Sequence, residues 1–286
     1  MVFAAAALGA AQAPKFEVAS IKACKPGERT PGAADGGGNG KSAPGPVAQS
    51  PGRLALNCYP LSILIQTAYV EFANGQQGST RVLPLRIEGG PAWIESDHYA
   101  STAKAADAAS QTTMRGPMLQ ALLEDRFKLK IHRESREGAV FDLTVAKGGL
   151  KMHPTVEGTC VPRDPLEYPR PPKAPSDKPW CSTISFRSSM QTMTGILDGI
   201  GATMAEMAAY LYTDGRDVID QTGVQGRFDF HLEYLRGGGP PPADPDPAHA
   251  APSIFTAVQQ LGLRMEAAKG RVDFLVIDHV ERPSEN

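Results

Sequence analysis

Hydrophobic positions recur with two different periods along the chain, and together they predict a unit of one helix followed by two strands. In residues 117–125 the apolar side chains are three or four positions apart, which is typical of an amphipathic helix. Residues 126–133 and 140–147 instead alternate apolar and polar side chains, which is typical of strands with one face in water. These segments form the clearest copy of the unit.

Further copies of this unit are predicted before and after it. The helices are expected at residues 60–70, 117–125, 203–211 and 252–260, each followed by two strand patterns. Thr203 and Glu206 form a predicted capping box at the start of the third helix. We therefore predict an α+β fold of tandem helix–strand–strand repeats in two similar halves, with an antiparallel sheet and helices on one face.

The predicted halves cover residues 14–152 and 182–286, and a Pro-rich linker loop of residues 153–181 joins them within one family domain. Residues 1–13 are small and apolar and resemble the end of a secretory signal peptide. We therefore expect a secreted or periplasmic protein. No run reaches the ~20 apolar residues of a membrane-spanning helix, so we predict no transmembrane span in this chain.

Four cysteines, Cys24, Cys58, Cys160 and Cys181, support the same location, because an even number in an exported chain favours disulfides. Three pairings are possible. We prefer Cys24 with Cys58 and Cys160 with Cys181, because each pair brackets a Gly- and Pro-rich stretch whose closure removes entropy from the unfolded chain. Four free buried thiols in a cytosolic chain are the alternative. The chain lacks C-x-x-C, so a zinc ribbon is not supported.

The overall charge argues against one class of partner. The chain has 29 basic and 31 acidic residues and a formal net charge of -2. Nucleic-acid binding depends on clustered basic surface, so we expect no nucleic-acid partner.

Five ordered segments resemble one known family. They cover residues 16–22, 90–99, 118–134, 218–230 and 275–286. The family is the soil-associated domain of unknown function 3738, which is abundant in acidobacterial-type genomes. The resemblance implies export and an extracytoplasmic sensing or binding role, since some members are fused behind a membrane metallopeptidase like the beta-lactam-sensing antirepressors. It supplies no catalytic residues, and Cys24 and Cys58 are not part of its general pattern.

The sequence gives little support for a catalytic serine. No Gly-x-Ser-x-Gly motif occurs. Ser188 and Ser189 have Asp229 and His231 downstream, but we interpret these two as facing opposite sides of their strand. They could then not act together on one serine, and we predict that these residues are ordinary polar residues of the surface.

The sequence also gives little support for a metal site or a cofactor site. His98 lies beside Asp97 and His279 beside Asp278, but single histidines on strands are more often structural, and no His-Glu-x-x-His motif occurs. The Gly-rich residues 35–42 predict a flexible loop rather than a phosphate-binding loop. We predict no metal, no cofactor and no catalytic residue.

Four carboxylates, Asp217, Asp220, Asp229 and Glu233, surround one predicted hairpin. Opposed carboxylates perform acid–base chemistry on glycans, but cross-strand salt bridges explain the same residues more simply. We take the second interpretation.

Trp93 is the one candidate ligand-binding residue, because a loop tryptophan either stacks on a ligand or anchors the core. We predict an exported binding or sensory module without catalysis, whose partner is a small molecule, a glycan or a peptide. An envelope protein is a further candidate partner. The alternative function is a secreted hydrolase of an ester or glycan with its site between the two halves.

Overall fold

The structure is a computed structural model, and the residues that it describes are 14–28, 30, 52–76, 86–164, 176–189, 193–211, 215–236 and 251–283. The predicted signal remnant at residues 1–13 and the Gly-rich residues 35–42 lie outside the described residues. The predicted linker of residues 153–181 is described in part.

Strands dominate the described residues. They are β1 (Phe16–Cys24), β2 (Arg53–Pro60), β3 (Arg86–Gly89), β4 (His98–Ala105), β5 (Lys130–Val145), β6 (His153–Pro154), β7 (Thr183–Ser189), β8 (Thr194–Ala202), β9 (Val218–Asp220), β10 (Phe228–Leu235) and β11 (Leu263–His279). The α-helices are α1 (Leu61–Gln66), α2 (Trp93–Ser96), α3 (Gln111–Thr113), α4 (Leu119–Phe127), α5 (Met204–Tyr210) and α6 (Ile254–Gln260). Two π-helical turns, Thr67–Glu71 and Met114–Met118, continue α1 and α3.

These strands form three sheets, with the orders β1-β4-β2, β6-β10-β8-β7 and β3-β11-β5-β9. The pairs in the first two sheets are antiparallel. Strand β9 is short and pairs with β5 in parallel, with Phe141 opposite Val218. The fold is therefore α+β with mostly antiparallel sheets, as predicted.

Two predicted strand pairs are continuous strands instead. Strand β5 has 16 residues and joins the predicted strands 126–133 and 140–147, and β11 has 17 residues. Gly138 and Gly270 lie in these strands where neighbours pack closely. A Cβ atom on Gly138 would lie 2.9 Å from Cγ2 of Val272, and one on Gly270 would lie 2.8 Å from Cδ1 of Ile219. The glycines thus permit close packing and do not mark turns.

The chain divides into two compact units. Unit 1 comprises residues 1–78, 87–132 and 276–286, and unit 2 comprises residues 79–86 and 133–275. The tandem repeat, with its boundaries at residues 14–152, 153–181 and 182–286, stays a prediction.

Unit 1 buries the apolar face of α1. Leu61, Leu64 and Ile65 of α1 are at most 1% exposed, and Phe127 at the end of α4 is fully buried. Tyr99 of β4 meets the Phe127 ring edge-on, with centroids 4.9 Å apart. Each large side chain buried in this way stabilises the fold by about 1.5–3 kcal/mol.

Unit 2 has its own core, in which α5 and α6 cover apolar strand residues such as Leu197 and Phe230. The capping box of α5 is confirmed: Thr203 Oγ1 accepts from the Glu206 amide at 3.2 Å, and Glu206 Oε2 accepts from the Thr203 amide at 2.8 Å. These bonds satisfy amides that have no partner within the helix.

Both preferred disulfides are formed. The Cα atoms of Cys24 and Cys58 are 5.9 Å apart, and those of Cys160 and Cys181 are 5.0 Å apart. The first bridge lies in unit 1 and the second in unit 2. Two disulfides are consistent with a secreted or periplasmic protein. In the part of the chain that the structure describes, no helix has both the length and the apolar character needed to span a membrane.

Candidate functional site

Unit 1 contains an open cavity of about 690 Å³. Its wall is formed by the end of β1, by the junction between α2 and β4, and by the segment that follows β11. The lining residues are Ile21, Lys22, Ala23, Cys24, Ser96, Asp97, His98, Tyr99, Arg282 and Pro283. This volume is within the range of small-molecule sites in proteins.

The local sequence explains how these segments meet. Strands β1 and β4 are antiparallel, with Cys24 opposite His98, so that the end of one strand lies beside the start of the other. Gly89 and Gly90 have φ angles of 80° and 74° and turn the chain from β3 into α2. A Cβ atom on Gly89 would lie 2.7 Å from the carbonyl oxygen of Ile277, so only glycine lets α2 approach the end of β11.

Arg282 is held at this cavity by two contacts. Its Nε donates a hydrogen bond to Oδ2 of Asp97 at 2.8 Å. Its guanidinium carbon lies 4.9 Å from the centroid of the Trp93 ring, which is a cation–π distance. The two contacts fix the position of a long side chain that would otherwise sample many rotamers.

Trp93 begins α2 and is half-buried. The cavity lining includes Arg282 but not Trp93 itself. Contact between Trp93 and a ligand therefore stays a prediction, and the structure adds a contact that the sequence did not indicate, namely the support of Arg282.

The other polar lining residues are also oriented by neighbours. His98 Nδ1 lies 2.8 Å from the carbonyl oxygen of Ser96, which can only accept, so Nδ1 carries a proton and donates. Burial raises the pKa of the Tyr99 hydroxyl, the charge of Asp97 raises it further, and Arg282 opposes this effect. Tyr99 therefore remains a protonated donor at neutral pH.

The histidines and carboxylates that are adjacent in the sequence hydrogen-bond to other residues and not to each other. Asp278 accepts from Nδ1 of His132 at 2.9 Å, and His279 bonds Glu281 at 2.8 Å through Nε2. Among the described residues, no three histidine, cysteine or carboxylate side chains converge in a geometry that could hold a metal ion.

The expected orientation of Asp229 and His231 is wrong. They are two residues apart on β10 and both are exposed, because alternate residues of a strand share a face. His231 Nδ1 bonds Oδ1 of Asp198 at 2.6 Å. Asp229 instead accepts from the Gly201 amide at 2.7 Å. Ser188 lies opposite Gly195, away from this pair in the register of the sheet.

Asp198 was missed by sequence reasoning. It lies on β8 opposite His231 and also accepts from Arg187 on β7. Partial burial alone would raise the pKa of the Asp198 carboxyl, but the hydrogen bonds from His231 and Arg187 outweigh it and lower this pKa. The sequence signal for Asp198 is that it is the one charged residue in a mostly apolar, glycine-rich strand.

The four carboxylates near β9 and β10 have separate surroundings. Asp220 Oδ1 accepts from the Thr222 amide at 2.9 Å, which is a local turn, and Glu233 is exposed. Asp217 is 8% exposed, and its Oδ1 has no hydrogen-bond partner among the described residues. Burial raises the pKa of Asp217, Arg86 opposes the shift and Asp273 adds to it.

These features define a disulfide-bonded α+β protein with an open cavity in its first unit, lined by both polar and apolar residues. The family model described as "Protein of unknown function (DUF3738)" matches residues 77–280, and the chain belongs to this family. The match includes the α2–β4 wall of the cavity and excludes Lys22 and Arg282. No curated protein and no solved structure matches the chain.

Proposed function

We propose that the chain is an extracytoplasmic binding or sensory module that holds a small-molecule, glycan or peptide ligand in the cavity of unit 1, without catalysing a reaction. The observation that carries this proposal is the cavity of about 690 Å³ with polar groups already oriented at its wall. Pre-formed concave sites with few, well-placed polar groups are typical of ligand binding.

The scaffold supports binding, because most of the wall belongs to β1, α2 and β4. Cys24 lies in the lining and is bonded to Cys58 on β2, which ties the end of β1 to the rest of the sheet. A wall that is ordered before binding reduces the entropy that a ligand must overcome.

The polar contacts at the wall favour binding over catalysis. Ser96 Oγ lies 3.3 Å from Asp97 Oδ1, and His98 Nδ1 donates to the Ser96 carbonyl rather than to a carboxylate. A serine hydrolase instead requires the hydroxyl to bond a histidine that a carboxylate orients.

The extracytoplasmic location rests on the disulfides and on the predicted signal remnant. Structural disulfides persist in oxidising compartments and are rare in the cytosol. We therefore place the ligand among molecules of the cell envelope or the surroundings of the cell.

A secreted hydrolase is the alternative, and one observation favours it. His231 and Asp198 form a carboxylate-oriented imidazole on an exposed sheet face of unit 2. Such a pair can act as a general base. Hydrolysis of ester and glycan substrates that is lost in His231→Ala would establish this alternative and contradict a purely binding role.

The proposal is tested by a thermal-shift screen with cell-wall fragments, glycans and peptides, because a ligand stabilises the folded state to which it binds. Ala23→Trp fills the cavity from the exposed face of β1. Ala267→Trp is the matched control on an exposed strand position of unit 2. We expect binding in the wild type and in the control, and none in Ala23→Trp. Binding that survives Ala23→Trp would contradict the assignment to this cavity.

A further inference from the structure

We propose that the cavity of unit 1 selects ligands that carry a carboxylate or another small anionic group, which Arg282 and Lys22 bind. This inference rests on the proposed function and adds the chemical class of the ligand. It follows from which polar atoms of the lining already have partners and which do not.

Arg282 presents an unused edge of its guanidinium group. Only Nε is bonded to Asp97, and the two terminal Nη groups have no hydrogen-bond partner among the described residues. The side chain is 61% exposed. The paired N–H groups of a guanidinium match the two oxygens of a carboxylate, and such bidentate pairs are stronger than bonds between neutral groups.

Trp93 and Asp97 prepare Arg282 for this role. The indole supports the guanidinium from one side at 4.9 Å, and Asp97 holds Nε. The rotamer entropy of the arginine is therefore lost on folding and not on binding, which increases the affinity for an anion.

The charges of the lining leave an excess of one positive charge. Lys22 and Arg282 are cations, and Asp97 is the one carboxylate among the lining residues. Lys22 is exposed and forms no ion pair with any described residue. The excess is local, because the whole chain has a formal net charge of -2.

The nearby carboxylates already accept hydrogen bonds. Asp97 accepts from Arg282 and Ser96, and Glu95 on α2 accepts from Ser62 at 2.8 Å. The charged groups of the lining that remain without a hydrogen-bond partner among the described residues are the Lys22 ammonium and the Arg282 Nη groups, and the Tyr99 hydroxyl can donate beside them. A cationic ligand would have to displace Arg282 from Asp97, and an apolar ligand would remove two cations from water without compensation.

The test uses two matched pairs of probes that differ in one carboxylate, measured by isothermal titration calorimetry. N-acetylmuramic acid is compared with its carboxamide, and N-acetylalanine is compared with its amide. We expect the acid of at least one pair to bind about tenfold or more tightly than its neutral partner, because a hydrogen bond to a charged group contributes roughly that factor. The difference should shrink as salt rises, and inorganic phosphate should compete.

Three variants assign the effect to residues. Arg282→Gln and Lys22→Gln should each reduce the preference for the acid, while binding of the neutral partner changes little. Arg282→Lys keeps the charge but lacks the paired N–H groups, so its preference for the acid should lie between those of the wild type and Arg282→Gln. This variant also tests the role of Arg282 if Arg282→Gln fails to fold. Arg264→Gln, an exposed arginine of unit 2 paired with Glu266, is the control and should behave as wild type.

The outcomes separate the two proposals. Equal binding of acid and neutral probes, or a preference for the acid that is unchanged in Arg282→Gln and Lys22→Gln, would overturn the anion inference and leave the cavity as a binding site. Absence of binding by any ligand class, or binding that Ala23→Trp does not block, would overturn the proposed function itself.

Discussion

Arg282 lies over the indole ring of Trp93, with 4.9 Å between its guanidinium carbon and the ring centroid. The first residue follows the last strand of the chain, and the second begins a helix of four residues in a distant part of the sequence. Their contact holds Arg282 at the wall of the cavity in unit 1. Its contribution can be separated from ordinary burial by choosing substitutions that keep or remove the aromatic face.

We expect Trp93→Phe to retain most of the affinity for an acidic ligand and Trp93→Leu to lose more of it. Leucine preserves apolar packing but lacks the ring face that attracts the guanidinium, an attraction of about 0.5–1 kcal/mol at exposed sites. Calorimetry on both variants measures the loss, and urea unfolding shows whether the fold is intact. Equal affinities for the two variants would mean that the cation–π contact does not orient Arg282.

Removal of each disulfide should destabilise the chain, but with different effects on binding. The bridges close sequence separations of 34 and 21 residues. Restriction of the unfolded chain then predicts a loss of about 3–4 kcal/mol for each. Cys24→Ser with Cys58→Ser should also weaken ligand binding, because Cys24 lines the cavity.

Cys160→Ser with Cys181→Ser is the matched control, since this bridge lies in unit 2. Urea unfolding and calorimetry measure the two effects. Equal loss of affinity in both double variants would show that the first bridge has no specific role at the cavity. Mass spectrometry of the unreduced wild type should detect no free thiol.

Local signals in the sequence were sufficient for several features. The capping box of Thr203 and Glu206 needs only residues three positions apart, and the cysteine pairing followed from the stretches between the cysteines. Strand continuity was harder, because Gly138 resembles a turn residue until the close approach of Val272 is known.

The candidate site was beyond local reasoning. Arg282 with Asp97, and His231 with Asp198, are pairs that only the register of strands and the path of the chain bring together. The sequence identified Trp93 as chemically unusual but could not show that a cation covers its ring.

Asp198 should make stability depend on pH in the acidic range. Its pKa in the folded state is lowered, so the ionised carboxylate stabilises the fold above the unperturbed value near 3.9, and this contribution is lost as pH falls through the folded pKa. We expect Asp198→Asn to lower the free energy of unfolding by about 1 kcal/mol or less at neutral pH, as for other exposed ion pairs. At the lowest pH it should have no effect.

Urea unfolding across this pH range measures the difference between Asp198→Asn and wild type. A double-mutant cycle with His231→Ala isolates the coupling between the two residues. Coupling that is absent at neutral pH would contradict the paired geometry.

Asp217 should have the opposite pH dependence. Its folded pKa is raised, chiefly by burial, so the ionised carboxylate destabilises the fold at neutral pH, and this cost disappears as pH falls towards the unperturbed value. Asp217→Asn should therefore increase the free energy of unfolding near pH 7 and change it little near pH 4. Urea unfolding at the two pH values checks this, and a variant less stable than wild type at pH 7 would be the contrary result.

Gly89 provides a test of the turn that places α2 beside the end of β11. Gly89→Ala combines a positive φ of 80° with a Cβ atom 2.7 Å from the Ile277 carbonyl oxygen, and we expect a loss of more than about 1 kcal/mol. Gly27→Ala is a matched control, since Gly27 has a φ of 84° but no atom within 4 Å of its Cβ position. Unfolding of both variants separates the cost of the backbone conformation from that of the clash. Because the same turn positions Trp93 and Asp97, Gly89→Ala should also weaken ligand binding, and equal effects of the two variants on stability and affinity would mean that the approach of Ile277 is not what requires glycine.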